Sequence, residues 1–194
     1  MGVEWEAVSG PVVDRQQAAA ALRDIDDVVH RVRQSRIYDL NSRIMVLWGV
    51  LAFAGNVATW LWPRYGGQIW IAVDVVGVAG MFAISVSDYA RTRVRSFDLR
   101  VLAVFLLFFA FGHFCSDVLG HFTPRQQGTF WPIYFMLFYA IAGLWFGYAF
   151  IAIGLGITAL TLIGYYGIGE AFPLWMAFVN GGGLILGGLW MRRT

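Results

Sequence analysis

The chain has 194 residues, of which 59% are hydrophobic and only 13% are charged, with a formal net charge of +2. A soluble domain of this size does not carry so large an apolar fraction, so the composition predicts an integral membrane protein. All basic residues are arginine, and the absence of lysine excludes Schiff-base chemistry and a phosphate loop of the GxxxxGK[ST] type.

Residues 1–40 form the most polar part of the chain and are predicted to be a cytoplasmic segment. Asp14 stands at an N-cap position, with Gln17 three residues later at capping-box spacing. A narrow apolar stripe follows at alternating spacings of four and three: Ala18, Leu22, Ile25, Val29 and Val32. The pattern predicts an amphipathic helix, which either packs on the bundle or the lipid headgroups, or uses residues 14–40 for homo-oligomerisation or a cytoplasmic protein partner.

Six apolar runs are long enough to cross a hydrocarbon layer of about 30 Å as helices. They are residues 44–62, 69–87, 101–119, 129–147, 149–168 and 172–191. The fourth and fifth runs lie in one uncharged stretch that would be about 60 Å long as a single helix, so we expect a turn near Gly147. The glycines of the last run predict a close-packing face. The sequence therefore predicts an all-α transmembrane domain over residues 41–194.

Arginine placement predicts the orientation of the chain. Most arginines precede or open the first run, lie between the second and third runs, or end the chain, whereas only Arg64 and Arg125 fall in the intervening loops. Because loops rich in positive charge remain in the cytoplasm, both termini are expected there. The use of arginine alone indicates a GC-rich bacterial genome, and the predicted location is the bacterial inner membrane.

The six runs are predicted to form three helical-hairpin repeats, over about residues 43–90, 100–147 and 149–193. Each repeat carries a glycine followed by a polar residue, then a loop with proline, then a tryptophan. The glycine and tryptophan pairs are Gly55 with Trp70, Gly112 with Trp131, and Gly164 with Trp175. A recurrence of about 50 residues is typical of a unit that buries its faces against its neighbours.

Polar side chains within the runs are concentrated in the predicted outer half, and they are our candidates for ligand binding. They are Asn56, Asp74, His113, Asp117, Tyr134, Tyr165, Glu170 and Asn180. Packing of the hairpins about a pseudo-threefold axis would bring six of them to an outward-facing chamber, namely Asn56, Asp74, His113, Tyr134, Tyr165 and Asn180. Alternatively, each group serves as a hydrogen-bonding contact between neighbouring helices. Asp74 has no basic residue within a helical turn, and we expect His113 to be its partner in a proton- or ligand-responsive pair.

A metal site is the further alternative. His113, Asp117 and His121 are spaced i, i+4, i+8, so they would share one helix face and could hold zinc with a carboxylate from Asp74 or Glu170. This metal site requires the third predicted helix to continue past Gly120. The helix is equally able to end at that glycine.

Three functions follow from these patterns. The leading hypothesis is a transporter or channel-like protein whose outward polar site binds a small ligand, an ion or a proton. The second is a membrane-embedded sensor or regulatory subunit that signals through the N-terminal helix. The third is a zinc-dependent intramembrane hydrolase, although the pattern favours a function that is not enzymatic. The predicted surroundings are the lipid bilayer, with no nucleic-acid partner.

Overall fold

The computed structural model describes residues 15–92 and 99–193, and within these ranges it is helical without strands. The helices are α1 (Arg15–Leu61), α2 (Gly66–Thr92), α3 (Leu99–His113), α4 (Pro124–Phe146), α5 (Tyr148–Gly167), α6 (Phe172–Met176) and α7 (Gly183–Met191). A 3-10 turn (Pro63–Tyr65) precedes α2, and π-helical stretches follow α3 (Phe114–Leu119) and join α6 to α7 (Ala177–Gly182). The predicted N-cap at Asp14 lies outside the described residues.

The chain divides into two compact units, one ending at Ile37 and the other beginning at Tyr38. In the first unit, the described backbone from Arg15 onward is helical. The amphipathic face of this helix and its docking role stay predictions, as do the domain limits 1–40 and 41–194.

Within the second unit, five segments are long and apolar enough to cross a membrane. They are Tyr38–Leu61, Pro63–Ala90, Pro124–Trp145, Tyr148–Gly167 and Phe172–Met191. A shorter apolar helix, Leu106–Leu119, lies in the region of the third predicted run. The predicted all-helical architecture is therefore confirmed, and it is that expected of a polytopic membrane protein.

The turn predicted near Gly147 is also confirmed. Gly147 separates α4 from α5 with φ 127° and ψ 160°, a conformation that residues with a Cβ rarely adopt. Its N–H donates to the carbonyl of Gly143 at 3.0 Å, which closes the end of α4. The chain thereby reverses with a single residue between two long apolar helices.

The core of the second unit lies where α1, α4, α5 and the C-terminal segment Phe172–Met191 meet. Its buried members are apolar: Tyr38, Met45, Met136, Ala149, Phe150, Ile153, Ile157, Val179, Leu184 and Met191. One polar contact joins α1 to α7: the Ser42 hydroxyl donates to the carbonyl of Gly188 at 2.6 Å. A second lies within α1, where Arg43 pairs with Asp39 one turn away.

Glycines allow these helices to approach closely. A Cβ at Gly49 would lie 2.9 Å from the carbonyl oxygen of Gly181, and a Cβ at Gly181 would lie 2.6 Å from the backbone nitrogen of Phe53. Gly154 of α5 is similarly close to the carbonyl oxygen of Met136 in α4, at 2.7 Å. The glycines of the last run therefore serve in packing, as their spacing predicts.

In each hairpin, the glycine of the recurring pattern packs against the tryptophan of the same hairpin. A Cβ on Gly55 would lie 3.8 Å from the Trp70 ring, and one on Gly112 would lie 2.8 Å from the Trp131 ring. A Cβ on Gly164 would overlap the ring of Trp175. The three indoles thus occupy space that the missing side chains leave open. This contact sets the separation of the two helices near the end of the bundle that carries Pro63, Pro124 and Pro173, hereafter the proline-loop end.

Candidate ligand site

The end of α3 brings a histidine and a carboxylate into contact. His113 is the last residue of α3, and Asp117 lies one turn later in the π-helical stretch. The ring Nδ1 of His113 lies 2.9 Å from Oδ2 of Asp117. Both side chains are about half exposed, at 49% and 47%. The pair is therefore open at the proline-loop end rather than sealed in the core.

Two further side chains hold the Asp117 carboxylate in place. The Ser116 hydroxyl, which is fully buried, donates to Oδ1 at 2.9 Å, and the amide nitrogen of Gln127 donates to the same oxygen at 3.0 Å. Hydrogen bonds to an ionised carboxylate are among the stronger ones in proteins. Ser116 and Gln127 therefore hold Oδ1 of Asp117, and Oδ2 is directed at the imidazole.

A second carboxylate, that of Asp74 in α2, lies in the same part of the bundle. Asp74 is half-buried and lies within range of an electrostatic interaction with His113. Within the described residues, no hydrogen bond or ion pair at 4.0 Å or less joins the two side chains. The pairing of Asp74 with His113 therefore stays a prediction, whereas the contact of His113 with Asp117 is direct.

Aromatic rings form the wall of this cluster. The His113 ring lies 4.8 Å from the centroids of both Trp131 and Phe109. Tyr134 stacks on Phe108 at 3.9 Å, and its hydroxyl donates to the Phe108 carbonyl at 3.0 Å. The Tyr134 ring also stacks on Phe130 at 5.2 Å, so Tyr134 holds α4 against α3 rather than facing the histidine. We refer to Asp74, His113, Asp117, Ser116 and Gln127 together as the His113 cluster.

Local sequence explains why the first turn of α4 reaches back to α3. The loop from Gly120 to Thr123 is short, and Thr123 caps α4 in a capping box with Gln126, followed by Pro124 at the first helical position. This places Gln127 in the first turn, where its side chain reaches Asp117. The connection between the two helices is therefore rigid on both sides of the loop.

His121 does not share the face of His113 and Asp117. The helix ends at Leu119, and His121 follows with φ 45° in the left-handed region. The i+8 spacing that would align it thus does not apply, because the chain has already left the helix. Among residues 15–92 and 99–193, no three His, Cys, Asp or Glu side chains are grouped so as to hold a metal ion. The zinc site stays a prediction from spacing alone.

Tyr165 belongs to a different cluster, built around Arg125. The guanidinium donates to the carbonyls of Tyr165 at 2.6 Å and Gly169 at 3.0 Å, and also to that of Ile168. It lies 4.8 Å from the centroid of the Phe172 ring. Arg125 therefore caps the C-terminal end of α5, where the helix dipole favours a cation. Glu170 is exposed in the adjoining loop.

The two asparagines lie in the interior of the bundle. Asn56 is buried, and its amide donates to the carbonyl of Ala52 in its own helix at 2.8 Å. Asn180 is buried in the second π-helical stretch. The candidate residues thus fall into three places in the structure. Three of them, Asp74, His113 and Asp117, belong to the His113 cluster, and Tyr134 lies near it. Convergence of the six residues from the three hairpins on one axis stays a prediction.

Ser116 and Gln127 were not among the candidates, although both bind Asp117. Thr123-x-x-Gln126 is a recognisable capping box and could have placed Gln127 in the first turn of α4. Nothing in the sequence signals the π-helical stretch that orients Ser116. Chemically, the cluster offers one imidazole and two carboxylates beside aromatic rings, an arrangement suited to a cation or a hydrogen-bond donor. No protein-family model, curated protein or solved structure matches this chain.

Proposed function

We propose that this protein is a transporter or channel-like protein of the bacterial inner membrane, whose outward-facing His113 cluster binds a small cation. The observation that carries this proposal is the contact between the His113 ring and the Asp117 carboxylate, with Asp74 of α2 in electrostatic range of the same ring. Acidic groups near one imidazole favour a positively charged ligand, and the Trp131 ring beside His113 adds a favourable cation contact.

The six-helix topology is part of the proposal. Five segments meet the length and hydropathy expected of membrane spans, and the helical backbone of α3 continues through the π-helical stretch to Leu119. We take this as the sixth span. The glycine and tryptophan contact repeated in the three hairpins supports their interpretation as repeats.

The outward orientation rests on the charge pattern. Arginines are rare in the loops at the proline-loop end, and Arg125 is engaged with the carbonyls of α5. Arg43 and Arg192 lie near Asp39 at the opposite end of the bundle, and arginines are typical of the cytoplasmic side of a bacterial membrane protein. The His113 cluster would then open to the outside, with both termini in the cytoplasm.

The test is a thermal-unfolding titration of the purified protein with sodium, calcium, zinc and tetramethylammonium chlorides at equal ionic strength. A ligand that binds only the folded state at 100 times its Kd stabilises that state by about 2.7 kcal/mol. We expect one of these cations to raise the unfolding midpoint, and we expect Asp117→Asn and Asp74→Asn to remove the effect.

Asp39→Asn is the matched control, because it removes the same charge at the opposite end of the bundle, where Asp39 pairs with Arg43. It should leave the cation response intact. If no probe shifts the wild-type midpoint, or if all variants respond equally, the cation site is wrong. A response to zinc alone would favour the metal-dependent alternative.

A sensing role is the second candidate, and the division of the chain after Ile37 favours it. A separate N-terminal unit suits a segment that serves a cytoplasmic partner. Deleting residues 1–37 should then leave a bundle that unfolds at nearly the wild-type temperature while losing capture of that partner. Loss of folding in the truncated protein would instead assign the segment to the core.

A further inference from the structure

One hydroxyl in the interior of the bundle has no hydrogen-bond partner. Thr161 of α5 is completely buried, and within the described residues its Oγ1 is the buried side-chain oxygen or nitrogen without a partner. Burying a hydroxyl without a hydrogen bond is costly, and native structures satisfy such groups with a protein atom or an ordered water. We therefore expect the Thr161 hydroxyl to have a partner of one of these kinds.

Two other helical threonines, Thr59 and Thr129, bond to a carbonyl of their own helix. Thr59 donates to the carbonyl of Gly55 at 2.7 Å, and Thr129 donates to that of Arg125 at 2.9 Å. Each bond reaches back four residues, which is the usual local solution for a threonine in a helix. Thr161 does not make this bond, so its hydroxyl is available to a partner outside α5.

The packing of α5 against the C-terminal segment identifies the group opposite Thr161. A Cβ at Gly183 would lie 3.0 Å from the Ile157 side chain, and the Trp175 indole nitrogen donates to the carbonyl of Leu160 at 3.0 Å. These contacts fix an antiparallel register. Thr161 lies one turn after Ile157 on the same face.

Asn180 lies between the two contacts on the opposite segment, three residues before Gly183. It is 8% exposed, and it belongs to the π-helical stretch Ala177–Gly182. Such stretches are uncommon and frequently occur at functional sites. The register therefore places a buried amide, which both donates and accepts, at the level of the unpartnered hydroxyl.

We propose that Thr161 and Asn180 bind a water molecule between α5 and the C-terminal segment. A buried water needs two to four polar partners, which the hydroxyl and the two ends of the amide provide. No charged residue lies at this level on either face, so the site suits a neutral ligand of this size rather than an ion. The site is separate from the His113 cluster. It places one bound water molecule in the apolar interior of the bundle.

The test combines a structure with a double-mutant cycle. An experimental structure of the full chain that shows ordered waters should contain a density peak within hydrogen-bond distance of both side chains. Thr161→Val and Asn180→Leu should each lower the Tm, and the double variant should lose less than the sum because either change alone releases the water. Thr161→Ser, which keeps the hydroxyl, should still be coupled to Asn180→Leu.

Thr129→Val is the control, since Thr129 is buried and binds its own helix, and its effect should add to that of Asn180→Leu. A rise in Tm for Thr161→Val would show that the hydroxyl is an unsatisfied group, and strict additivity would show that it binds within α5. Either result overturns the proposal. Should the Asn180 variants fail to fold, the density decides: an empty space between the two side chains contradicts the water site.

Discussion

His121 is held in a backbone conformation that favours glycine. Its φ of 45° lies in the left-handed region, which costs a residue with a Cβ about 1–2 kcal/mol. Phe122 then donates to the carbonyl of Ser116 at 3.0 Å, closing the helix end around His121. The conformation, rather than the imidazole, is what the fold requires at this position.

We therefore predict that His121→Gly raises the free energy of unfolding by about 1 kcal/mol. His121→Ala is the control, because it removes the imidazole but keeps the strained conformation, and it should change stability by less than about 0.5 kcal/mol. Unfolding in detergent, followed by circular dichroism, measures both. Destabilisation by both variants would show that the ring makes a contact that the fold depends on.

Arg125 provides the second prediction at this scale. Its guanidinium donates to the carbonyls of Tyr165, Ile168 and Gly169 at the end of α5. The single ammonium group of a lysine cannot reproduce these parallel hydrogen bonds. Arg125→Met should lower the free energy of unfolding by about 2–4 kcal/mol, and Arg125→Lys should recover only part of the loss. Chemical denaturation of the purified variants gives these values.

Arg64→Met is the matched control, because Arg64 is exposed in the loop between α1 and α2. We expect a change of less than about 0.5 kcal/mol there. Equal losses for the two arginines would contradict the capping role and indicate a general effect of loop charge.

Residue types and spacing were sufficient to place His113 and Asp117 on one helix face, where the two side chains are in contact, while the pairing of Asp74 with His113 stays a prediction. Residue types and depth did not predict the contacts of Ser116 and Gln127 with Asp117. Those contacts depend on the π-helical stretch and on the tight α3–α4 loop, which rotate side chains onto Asp117 in a way that helical periodicity does not encode. His121 was misplaced for the same reason, because the end of the helix decides its direction.

At the scale of the elements, the reversal between α4 and α5 depends on one glycine. Gly147 has a φ of 127°, so a Cβ there is strained even where space is available. We predict that Gly147→Ala lowers the free energy of unfolding by about 1–3 kcal/mol. Gly156→Ala is the control, since Gly156 is helical with open space around its Cβ position. It should be neutral or should stabilise by up to about 1 kcal/mol.

Thermal unfolding of the two variants side by side tests this prediction. Stabilisation by Gly147→Ala would mean that α4 and α5 do not reverse at this residue, and the hairpin would then have to be redrawn.

The helices themselves follow closely from hydropathy, because their length is set by the membrane and their ends by proline and glycine. The first span is part of the long helix α1, in which Asp39 and Arg43 pair one turn apart on the N-terminal side of the apolar run. The π-helical stretches have no counterpart in the sequence pattern. They arise where packing, rather than local propensity, decides the backbone.

For the whole molecule, the recurring glycine and tryptophan predicted a repeated unit, and in the structure each pair is in contact. The lateral arrangement of the helices was beyond the sequence, because hydropathy reports depth but not which faces meet. The polar residues consequently lie in three places: the His113 cluster, the Arg125 cap and the buried interior with Asn56 and Asn180. The first of these is open and acidic, and it is where the proposed function resides.

The measurement that tests the outward-facing site most directly is cysteine labelling in intact cells, because orientation and access are decided together. Cys115→Ala removes the native thiol, and His121→Cys places a new one beside the cluster, with Arg193→Cys as the reference at the opposite end. We predict that a membrane-impermeant maleimide labels position 121 from outside, that position 193 reacts only after permeabilisation, and that the stabilising cation slows labelling at 121. Labelling at 193 from outside with 121 protected, or a rate at 121 that no probe cation changes, would contradict an outward-facing cation site.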